Sequence, residues 1–578
     1  MNKKVLLRIL TLLFVLGFMV SVGVVMATNL PQADMQTITV DTTVDDLIDN
    51  GNCSLREAIQ AANTGTAVDA CPAGGMTTTI MIPAGTYSLT IPGAHETENV
   101  TGDMNITANV TIVGAGAGIT ILNANGLDRF FFIHPNSITE ISGVTITGGF
   151  VDGYSGGGIY VAGTLDLQDA VVTENVATTP SSTGGGLGGG IIIWEGEFTA
   201  NNIEISRNSA KLSGGGLYVR SSSATIHNAL IQENSSIDSA GGGIRNGATE
   251  ADSILTITDS HIISNTSGNN GGGIGNTFNS GRLAMTSLER VTISGNSAVV
   301  GSDYLSGLGG GIGNGAIIDT SSGSGIINVR HSTIRNNMAT NGGGIGSTPV
   351  GVTGPVLVQV TVENSVIEGN IASGDGFQVG NGGGILSLDG VLTVRNSTIS
   401  GNQATGSGSQ LSGLGGGVLV AAQVLPATTS LVATTISENT AALVGNGVAN
   451  ANLGGGSTVE FKNTLVADNG ALNCFNNGGV MTSLGYNLDS QDACSFNQGT
   501  DLVNTSPMLG NLTAENGTIV YPLLAESPAI DSGSCTDENG DPITVDQRGM
   551  SRPQGVTCDI GAYEVATTFN TYLPMITK

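Results

Sequence analysis

Acidic side chains are the first residues to test for chemistry, because glycosidases need two carboxylates held about 5 to 9.5 Å apart. A glycine triplet recurs along the chain. Counted from the first glycine of the nearest triplet, Asp166 lies ten positions on, Glu195 seven, and Glu197 and Glu250 nine. Glu197 and Glu250 thus share a register, but two repeats separate them. We predict no catalytic residue; the alternative is a polysaccharide lyase or glycoside hydrolase whose site has no recognisable motif.

Metal-binding patterns are weak in this sequence. Five histidines are scattered without the spacing of a metal site: His95, His134, His227, His261 and His331. The segment DENGD offers side-chain oxygens from Asp537, Asn539 and Asp541 at alternate positions, as calcium loops do, but lacks the bidentate glutamate of an EF-hand. The sequence therefore predicts at most a weak Ca²⁺ site here, with a solvated turn as the alternative, and indicates no other cofactor.

Aromatic and arginine side chains share a register after successive glycine triplets. If the aliphatic residue that follows a triplet points inward, the next residue points outward. Tyr160, Tyr218 and Arg245 occupy that outward position, and Trp194 and Arg220 lie two residues further on. Aromatic rings stack on sugars, and arginines bind carboxylate or sulfate groups. These five residues predict a glycan-binding face; the alternative is a covering loop with the aromatics packed beneath it.

The elements that must position these residues are short repeated strands. A series of ten glycine triplets and a series of ten aliphatic-x-x-Asn steps run along the chain, and both advance by roughly 33 residues per step, a spacing typical of solenoids. The asparagines are Asn175, Asn208, Asn234, Asn265, Asn296, Asn337, Asn370, Asn402, Asn439 and Asn469. The triplets begin at Gly156, Gly188, Gly214, Gly241, Gly271, Gly309, Gly342, Gly382, Gly415 and Gly454.

Between these marks the chain is rich in β-branched residues and lacks helical periodicity, which predicts short strands. A unit of strands and turns cannot bury its own apolar face and must stack on its neighbours, as in a parallel β-helix. We expect the asparagines to adopt left-handed turns and to hydrogen-bond from coil to coil, and the glycines to turn at positive φ. Asn246, Asn276 and Asn314 predict a second internal stack.

Several motifs resemble known families. Ile-x-x-Asn paired with Gly-Gly-Gly-Ile resembles the repeats of chlamydial polymorphic outer membrane proteins, and NCSLREAIQAAN (52–63) is similar to the CSLREA domain. SPAIDSG (527–533), DQRGMSRP (546–553) and CDIGAYE (558–564) resemble the choice-of-anchor Q domain. The resemblance implies an all-β fold, a right-handed single-stranded parallel β-helix of the pectate-lyase-like superfold, in a bacterial surface protein.

A short helix is predicted to cap the first coil. Ser54 and Glu57 have the spacing of a capping box. The following residues place an apolar face on one side of the helix: Leu55, Ala58, Ile59 and Ala62. The end coils of a solenoid require such a cover.

The chain start and the cysteines indicate export. Residues 1–27 carry Lys3, Lys4 and Arg8, then an apolar run and small residues, as a signal peptide does. An uncleaved membrane anchor is the alternative, and no later run is long enough to span a bilayer. Export and sequence proximity favour three disulfides among fifteen formal connectivities: Cys53–Cys71, Cys474–Cys494 and Cys535–Cys558.

The charge excludes one class of partner. Loss of the three positive charges of the signal peptide takes the net charge from −28 to −31. Such a surface repels phosphate backbones, so we expect no nucleic-acid partner.

The predicted organisation has five parts: signal peptide 1–27, N-terminal cap and first coils 28–139, β-helix repeats 140–470, C-terminal cap 471–564 and tail 565–578. The predicted function is that of a secreted or cell-surface, non-catalytic protein for adhesion or glycan binding, with an extracellular polysaccharide or cell-surface glycan as partner. The alternatives are an enzyme of the superfold and a purely structural surface protein. The sequence indicates no oligomeric state.

Overall fold

A computed structural model describes most of the chain, and the predicted signal peptide lies outside the described residues. The described residues are 35–94, 96–180, 184–279, 281–298, 306–316, 322–349, 354, 356–374, 379–407 and 411–566. The strands lie in three long parallel sheets of 27, 13 and 10 strands and one short antiparallel hairpin. The predicted all-β fold, a right-handed parallel β-helix with a short N-terminal capping helix, is confirmed.

Sheet 1 has 13 strands, and in the repeat region each strand directly follows a glycine-rich turn. Its strands are Met104–Ile106, Phe131–Ile133, Ile159–Val161, Ile191–Trp194, Leu217–Arg220, Ile244–Ala248, Ile274–Phe278, Ile312–Ala316, Ile345–Thr348, Ile385–Leu388, Val418–Ala422, Val448–Asn452 and Cys474–Asn477. Thirteen strands about 4.8 Å apart give a rod of about 60 Å.

Sheet 2 has 27 strands, because most coils contribute two segments separated by a bend. Its strands are Met35–Thr39, Thr77–Ile82, Gly85–Ser88, Val110–Gly114, Thr120–Asn123, Ile138–Ser142, Thr145–Thr147, Thr164–Thr173, Glu197–Ser206, Ser223–Gln232, Ser253–Thr258, His261–Ile263, Leu283–Glu289, Thr292–Ser294, Gly323–Arg330, Thr333–Arg335, Val356–Glu363, Val366–Glu368, Val391–Arg395, Thr398–Ser400, Ala427–Val432, Thr435–Ser437, Ser457–Lys462, Leu465–Ala467, Val480–Ser483, Leu488–Asp489 and Leu502–Val503. Parallel pairing thus continues past both ends of the predicted repeat region 140–470.

Sheet 3 has 10 very short strands, nine of which begin just after a repeated asparagine. They are Phe150–Asp152, Val176–Thr178, Ser209–Ala210, Ser235–Ser236, Thr266–Ser267, Ser297–Ala298, Met338–Ala339, Ile371–Ala372, Gln403–Ala404 and Thr440–Ala441. The antiparallel hairpin joins Thr513–Glu515 to Thr518–Val520 near the C-terminus.

The predicted asparagine stack is confirmed as a buried hydrogen-bonded ladder. The backbone N–H and the Nδ2 of Asn175 both donate to Oδ1 of Asn208 at 3.0 Å, and the same pattern repeats in the following coils. The ladder asparagines are at most 1% exposed. Asn246, Asn276 and Asn314 form the second stack, with Nδ2–Oδ1 distances of 2.8 and 2.9 Å.

One detail of the asparagine prediction is wrong. The residue before the ladder asparagine adopts the left-handed conformation, as at Glu174 (φ 57°) and Arg207 (φ 53°). This turn frees the asparagine side chain to point into the rod, where it satisfies backbone groups of neighbouring coils.

The glycine triplets also turn the chain as predicted. The first glycine has a positive φ in the first nine triplets, from 61° at Gly188 to 74° at Gly241. The prediction is wrong for the tenth triplet, at Gly454, because this triplet follows strand Val448–Asn452 instead of preceding a strand of sheet 1. Gly445 and Asn446 occupy the expected place, because their carbonyls accept hydrogen bonds from the triplet of the preceding coil.

A single bend residue separates the two segments of each coil in sheet 2 and adopts the left-handed conformation. In every repeat it lies six positions before the ladder asparagine. We call these residues the bend row: Asp169, Asn202, Asn228, Asp259, Arg290, His331, Asn364, Asn396, Ala433 and Asn463, with φ between 46° and 55°.

The N-terminal cap is helix α1 (Leu55–Thr64). The Ser54–Glu57 capping box is present, and the predicted apolar face is buried. Disulfide Cys53–Cys71 fixes the start of the helix to the following loop. No helix in the described part of the chain is long and apolar enough to cross a membrane.

The C-terminal cap contains the other two predicted disulfides, Cys474–Cys494 and Cys535–Cys558. It folds back over the outer face of sheet 2 at the last coils. Thr398 Oγ1 donates to Gln547 Oε1 at 2.6 Å, and Asn463 Nδ2 donates to the Asp559 carbonyl at 3.0 Å. The bend row is therefore covered near this end, whereas its earlier members from Asp169 to Asn364 are exposed or half-exposed.

Candidate functional site

The five predicted aromatic and arginine residues do lie together on the outer face of sheet 1. Tyr160 pairs with Ile192, Ile192 with Tyr218, and Tyr218 with Arg245, while Trp194 pairs with Arg220. The alternate residues Ile159, Val161, Ile191, Ile193, Leu217 and Val219 belong to the main core. The register and the outward direction were therefore predicted correctly.

The expected exposure of this face is wrong at Tyr218, which is only 2% exposed. Tyr218 packs with Ile192 and Leu187 in a satellite cluster outside the core, and Leu212 packs against them. Leu187 and Leu212 belong to the turns that precede two glycine triplets. These turns cover the outer face of the strands, so Tyr218 has a packing role.

Two protein groups also pack against the Trp194 ring. The Tyr160 ring stacks against it, with centroids 6.3 Å apart and planes inclined by 29°, and the Arg220 guanidinium carbon lies 3.7 Å from its centroid. Arg220 is ion-paired with Glu250 and holds the pKa of that carboxyl down to about 2. Trp194 is half-buried, and the Arg220 guanidinium occupies ring surface on which a sugar could otherwise stack.

Arg245 is similarly engaged within the protein. Its guanidinium carbon lies 5.1 Å from the Tyr218 ring centroid, its Nε donates to Thr277 Oγ1 at 3.2 Å, and its Nη1 donates to Ser213 Oγ. The two arginines expected to select acidic sugars therefore stabilise an aromatic stack instead.

Glu197 and Glu250 do not share a register after all. Glu197 pairs with Ser223, and Ser223 with Ile254, so Glu250 lies in the turn before that strand. An insertion of turn residues between strands Ile244–Ala248 and Ser253–Thr258 causes the shift. The structure therefore does not align the carboxylate pair that the triplet register suggested.

The DENGD segment forms a compact turn in the C-terminal cap. Asp537 Oδ1 accepts hydrogen bonds from the backbone N–H groups of Asn539 and Asp541, at 2.8 and 2.9 Å, and Arg395 lies 3.6 Å from Asp537 Oδ2. Asn539 and Asp541 are exposed. Across the described residues, which leave out His95, no group of three or more His, Cys, Asp or Glu side chains is placed to hold a metal.

An acidic residue near the N-terminal cap is strongly perturbed. Asp103 is 4% exposed, and burial raises its pKa to about 7 despite Arg129, whose Nε lies 3.5 Å away. Asn105 donates to Asp103 at 2.8 Å and also contacts His134 Nε2 at 2.8 Å. Burial lowers the pKa of His134. The loop at residues 96–102 covers this network, so we assign it a structural role.

The sequence analysis missed an open groove along the bend of sheet 2. It is an open depression that extends over three coils and has a volume of about 420 Å³. Its floor is formed by Ala170, Ile203 and Ala229, each at most 4% exposed. One wall is formed by the bend residues Asp169, Asn202 and Asn228, the other by Val171, Glu204 and Leu230, with Ala117 and His261 completing the lining. We call this the bend groove.

The polar groups of the bend groove are held in place by neighbouring coils. Asn202 Nδ2 donates to Asp169 Oδ1 at 2.5 Å, and Asn228 Nδ2 donates to Asn202 Oδ1 at 3.2 Å. Glu204 accepts a hydrogen bond from Gln232 at 3.1 Å. The groove therefore presents a pre-ordered row of amide and carboxylate groups beside an apolar floor.

Beyond the groove the bend row continues as a chain of contacts between carboxylates, Arg290 and two histidines. Asp259 receives two hydrogen bonds from Arg290, at 2.6 and 2.8 Å, which lower its pKa. His227 Nδ1 lies 3.3 Å from Asp259, and Glu289 bridges Arg290 and His331 at 2.9 and 3.0 Å. Arg290, the arginine of this segment, is thus matched by two carboxylates.

Comparison with family models and with curated proteins finds no match, so the resemblance to surface-protein domains stays a prediction. Solved structures with a similar fold include an Azotobacter vinelandii mannuronan C-5 epimerase A-module (13% identity, TM-score 0.27, covering 71% of this chain and 90% of that one). Others are an alginate lyase in complex with G6 (14%, 0.37, 82% and 90%) and a pectate lyase (14%, 0.26, 92% and 96%). These likenesses concern the fold alone and assign no activity.

Proposed function

We propose that this protein is an exported or cell-surface β-helix that binds an extended polysaccharide in the bend groove without cleaving it. The observation that supports the proposal is the groove itself: an open channel across three coils, with an apolar floor, one wall of ordered polar side chains, and a second wall that includes Val171 and Leu230. Apolar floors contact the faces of sugar rings, and amide and carboxylate groups hydrogen-bond to hydroxyls. The combination suits a polyhydroxylated chain.

The repeat of the groove also suits a polymer. Successive coils present equivalent side chains about 4.8 Å apart, close to the length of one pyranose unit in an extended polysaccharide. Asp169, Asn202 and Asn228 can then each contact one successive sugar. Contacts that are weak for a single sugar add up along a linked chain, because the later ones form intramolecularly.

The two carboxylates of the groove support a binding role. Asp169 and Glu204 each accept a hydrogen bond from a side-chain amide of an adjacent coil, which orients them as acceptors. Export is supported by the three disulfides, because such bonds persist in oxidising compartments, and by the predicted signal peptide.

The proposal is tested with the double variant Asn202→Ala/Asn228→Ala in the mature chain, using a polysaccharide identified on a glycan array. Loss of two hydrogen-bonding side chains at about 1 kcal/mol each should weaken binding by roughly tenfold or more. Both residues are exposed, so the fold should be retained.

The control is Trp194→Ala on the opposite sheet. We expect it to retain binding but to lower the free energy of unfolding by about 2 kcal/mol, because a half-buried aromatic residue is lost from its cluster. If Trp194→Ala abolishes binding while the double variant binds normally, the ligand lies on the aromatic face and the proposal is wrong.

A further inference from the structure

The charge of the bend groove is distinctive. Its ionisable lining consists of two carboxylates, Asp169 and Glu204, and one exposed histidine, His261. Among the described residues, no lysine or arginine lines it. Asp166 lies just before the bend on the strand that carries Asp169, and the whole chain has a net charge of −28. A ligand in this groove therefore meets a negative potential.

The nearest arginines do not reverse this potential. Arg207 Nε lies 3.3 Å from the Glu174 carboxylate, and Arg290 is held by Asp259 and Glu289. On the opposite sheet, Arg220 is paired with Glu250. These arginines thus already have acidic partners. A carboxylated or sulfated sugar would have to displace those carboxylates before it could bind the arginines.

The uncharged groups of the groove fit a different ligand. Asn202 and Asn228 present amides that donate to and accept from hydroxyl groups, and the half-buried Val171 and Leu230 offer apolar contact. Resting on the function proposed above, we infer that the bend groove selects neutral polysaccharides and excludes polyuronates and sulfated polymers. Recognition rests on hydroxyl hydrogen bonds and ring contact, and the carboxylates Asp169 and Glu204 provide the discrimination.

The test compares the mature protein and the isosteric variant Asp169→Asn/Glu204→Gln by titration with soluble polysaccharides. The neutral probes are mixed-linkage glucan, galactomannan and xylan, and the acidic probes are polygalacturonate and alginate. The wild type should bind at least one neutral polymer, with an affinity independent of salt. Binding of the acidic polymers should be weaker and should strengthen as salt screens the repulsion.

Because Asp169 and Glu204 also contact the ligand, the readout is the ratio of the affinity for polygalacturonate to the affinity for the neutral polymer. The variant should raise this ratio by about tenfold over the wild type, because two like charges at close range are removed. An unchanged ratio would overturn the inference.

Three outcomes separate the possibilities. A wild type that prefers an acidic polymer in EDTA overturns the inference. Binding of an acidic polymer that requires calcium and disappears in EDTA also overturns it, because bound cations would then reverse the groove potential. Both leave the proposed function standing. Failure to bind any polymer of either class overturns the proposed function itself.

Discussion

The asparagine ladder gives the sharpest test of how this rod is held together. The side chain of Asn208 forms four hydrogen bonds: Oδ1 accepts from the N–H and the Nδ2 of Asn175, and Nδ2 donates to the Val172 carbonyl and to Asn234 Oδ1, all at 2.9 to 3.0 Å. Asn208→Ala removes all four in a site that is 1% exposed. At about 1 kcal/mol net for each bond, the free energy of unfolding should fall by about 4 kcal/mol.

The assay is equilibrium urea unfolding followed by circular dichroism, together with hydrogen exchange of the amides in strands Val176–Thr178 and Ser209–Ala210. Asn201→Ala is the matched control, since Asn201 lies in the same coil, on strand Glu197–Ser206, but is exposed. We expect the control to change stability by no more than about 0.5 kcal/mol. Exchange should accelerate first around the altered coil, because each coil contacts mainly its neighbours.

Equal effects of Asn208→Ala and Asn201→Ala would refute the reasoning. The ladder would then be a consequence of coil stacking, and the hydrogen bonds would contribute no more to stability than bonds to water.

Three further changes test other features. Gly215→Ala should lower the free energy of unfolding, measured in urea, by about 3 kcal/mol, because the new Cβ would lie 2.3 Å from the Gly242 carbonyl oxygen. In the control Gly499→Ala the new Cβ meets no atom within 4 Å, so the free energy of unfolding should not change. Burial raises the pKa of Asp103 to about 7, so the folded state binds this proton more tightly than the unfolded state does. The free energy of unfolding of the wild type, relative to that of Asp103→Asn, should therefore fall as pH rises from about 4 to 7. A difference between the two proteins that does not change with pH would contradict this. Replacing Cys474 and Cys494 by serine opens a link across 20 residues and should lower the free energy of unfolding by about 3 kcal/mol, and an unchanged denaturation midpoint would count against a structural role.

The parts of this fold that the sequence predicts are those repeated along the chain. The ladder asparagines and the first nine triplets each keep one position in every coil, so their chemistry can be read by alignment. Outside residues 140–470 these marks fade, although parallel strands continue from Met35 to Val503. The prediction failed at the tenth triplet because the turn is formed there by Gly445-Asn446-Gly447, which keeps the turn geometry without being a glycine triplet.

The candidate site was harder to predict, because it depends on where turns lie and not only on register. Tyr218 points outward as expected, but turns from two coils carry Leu187 and Leu212 over it. The bend row had a readable signal, six positions before each ladder asparagine, but its residue types vary from aspartate to histidine. A left-handed bend constrains the backbone conformation, which asparagine and aspartate adopt more easily than most residues, but it does not require one side chain.

The position of the caps has a consequence for how such a protein can change over generations. In the described part of the chain, helix α1 packs on the first coils and the C-terminal cap on the last ones, whereas the coils between them contact one another through the same ladder. Successive ladder asparagines are 26 to 41 residues apart, yet each makes the same bonds. Whole units can therefore be duplicated or deleted by recombination without redesigning either end. Each such event would change the length of the rod by one coil, about 4.8 Å.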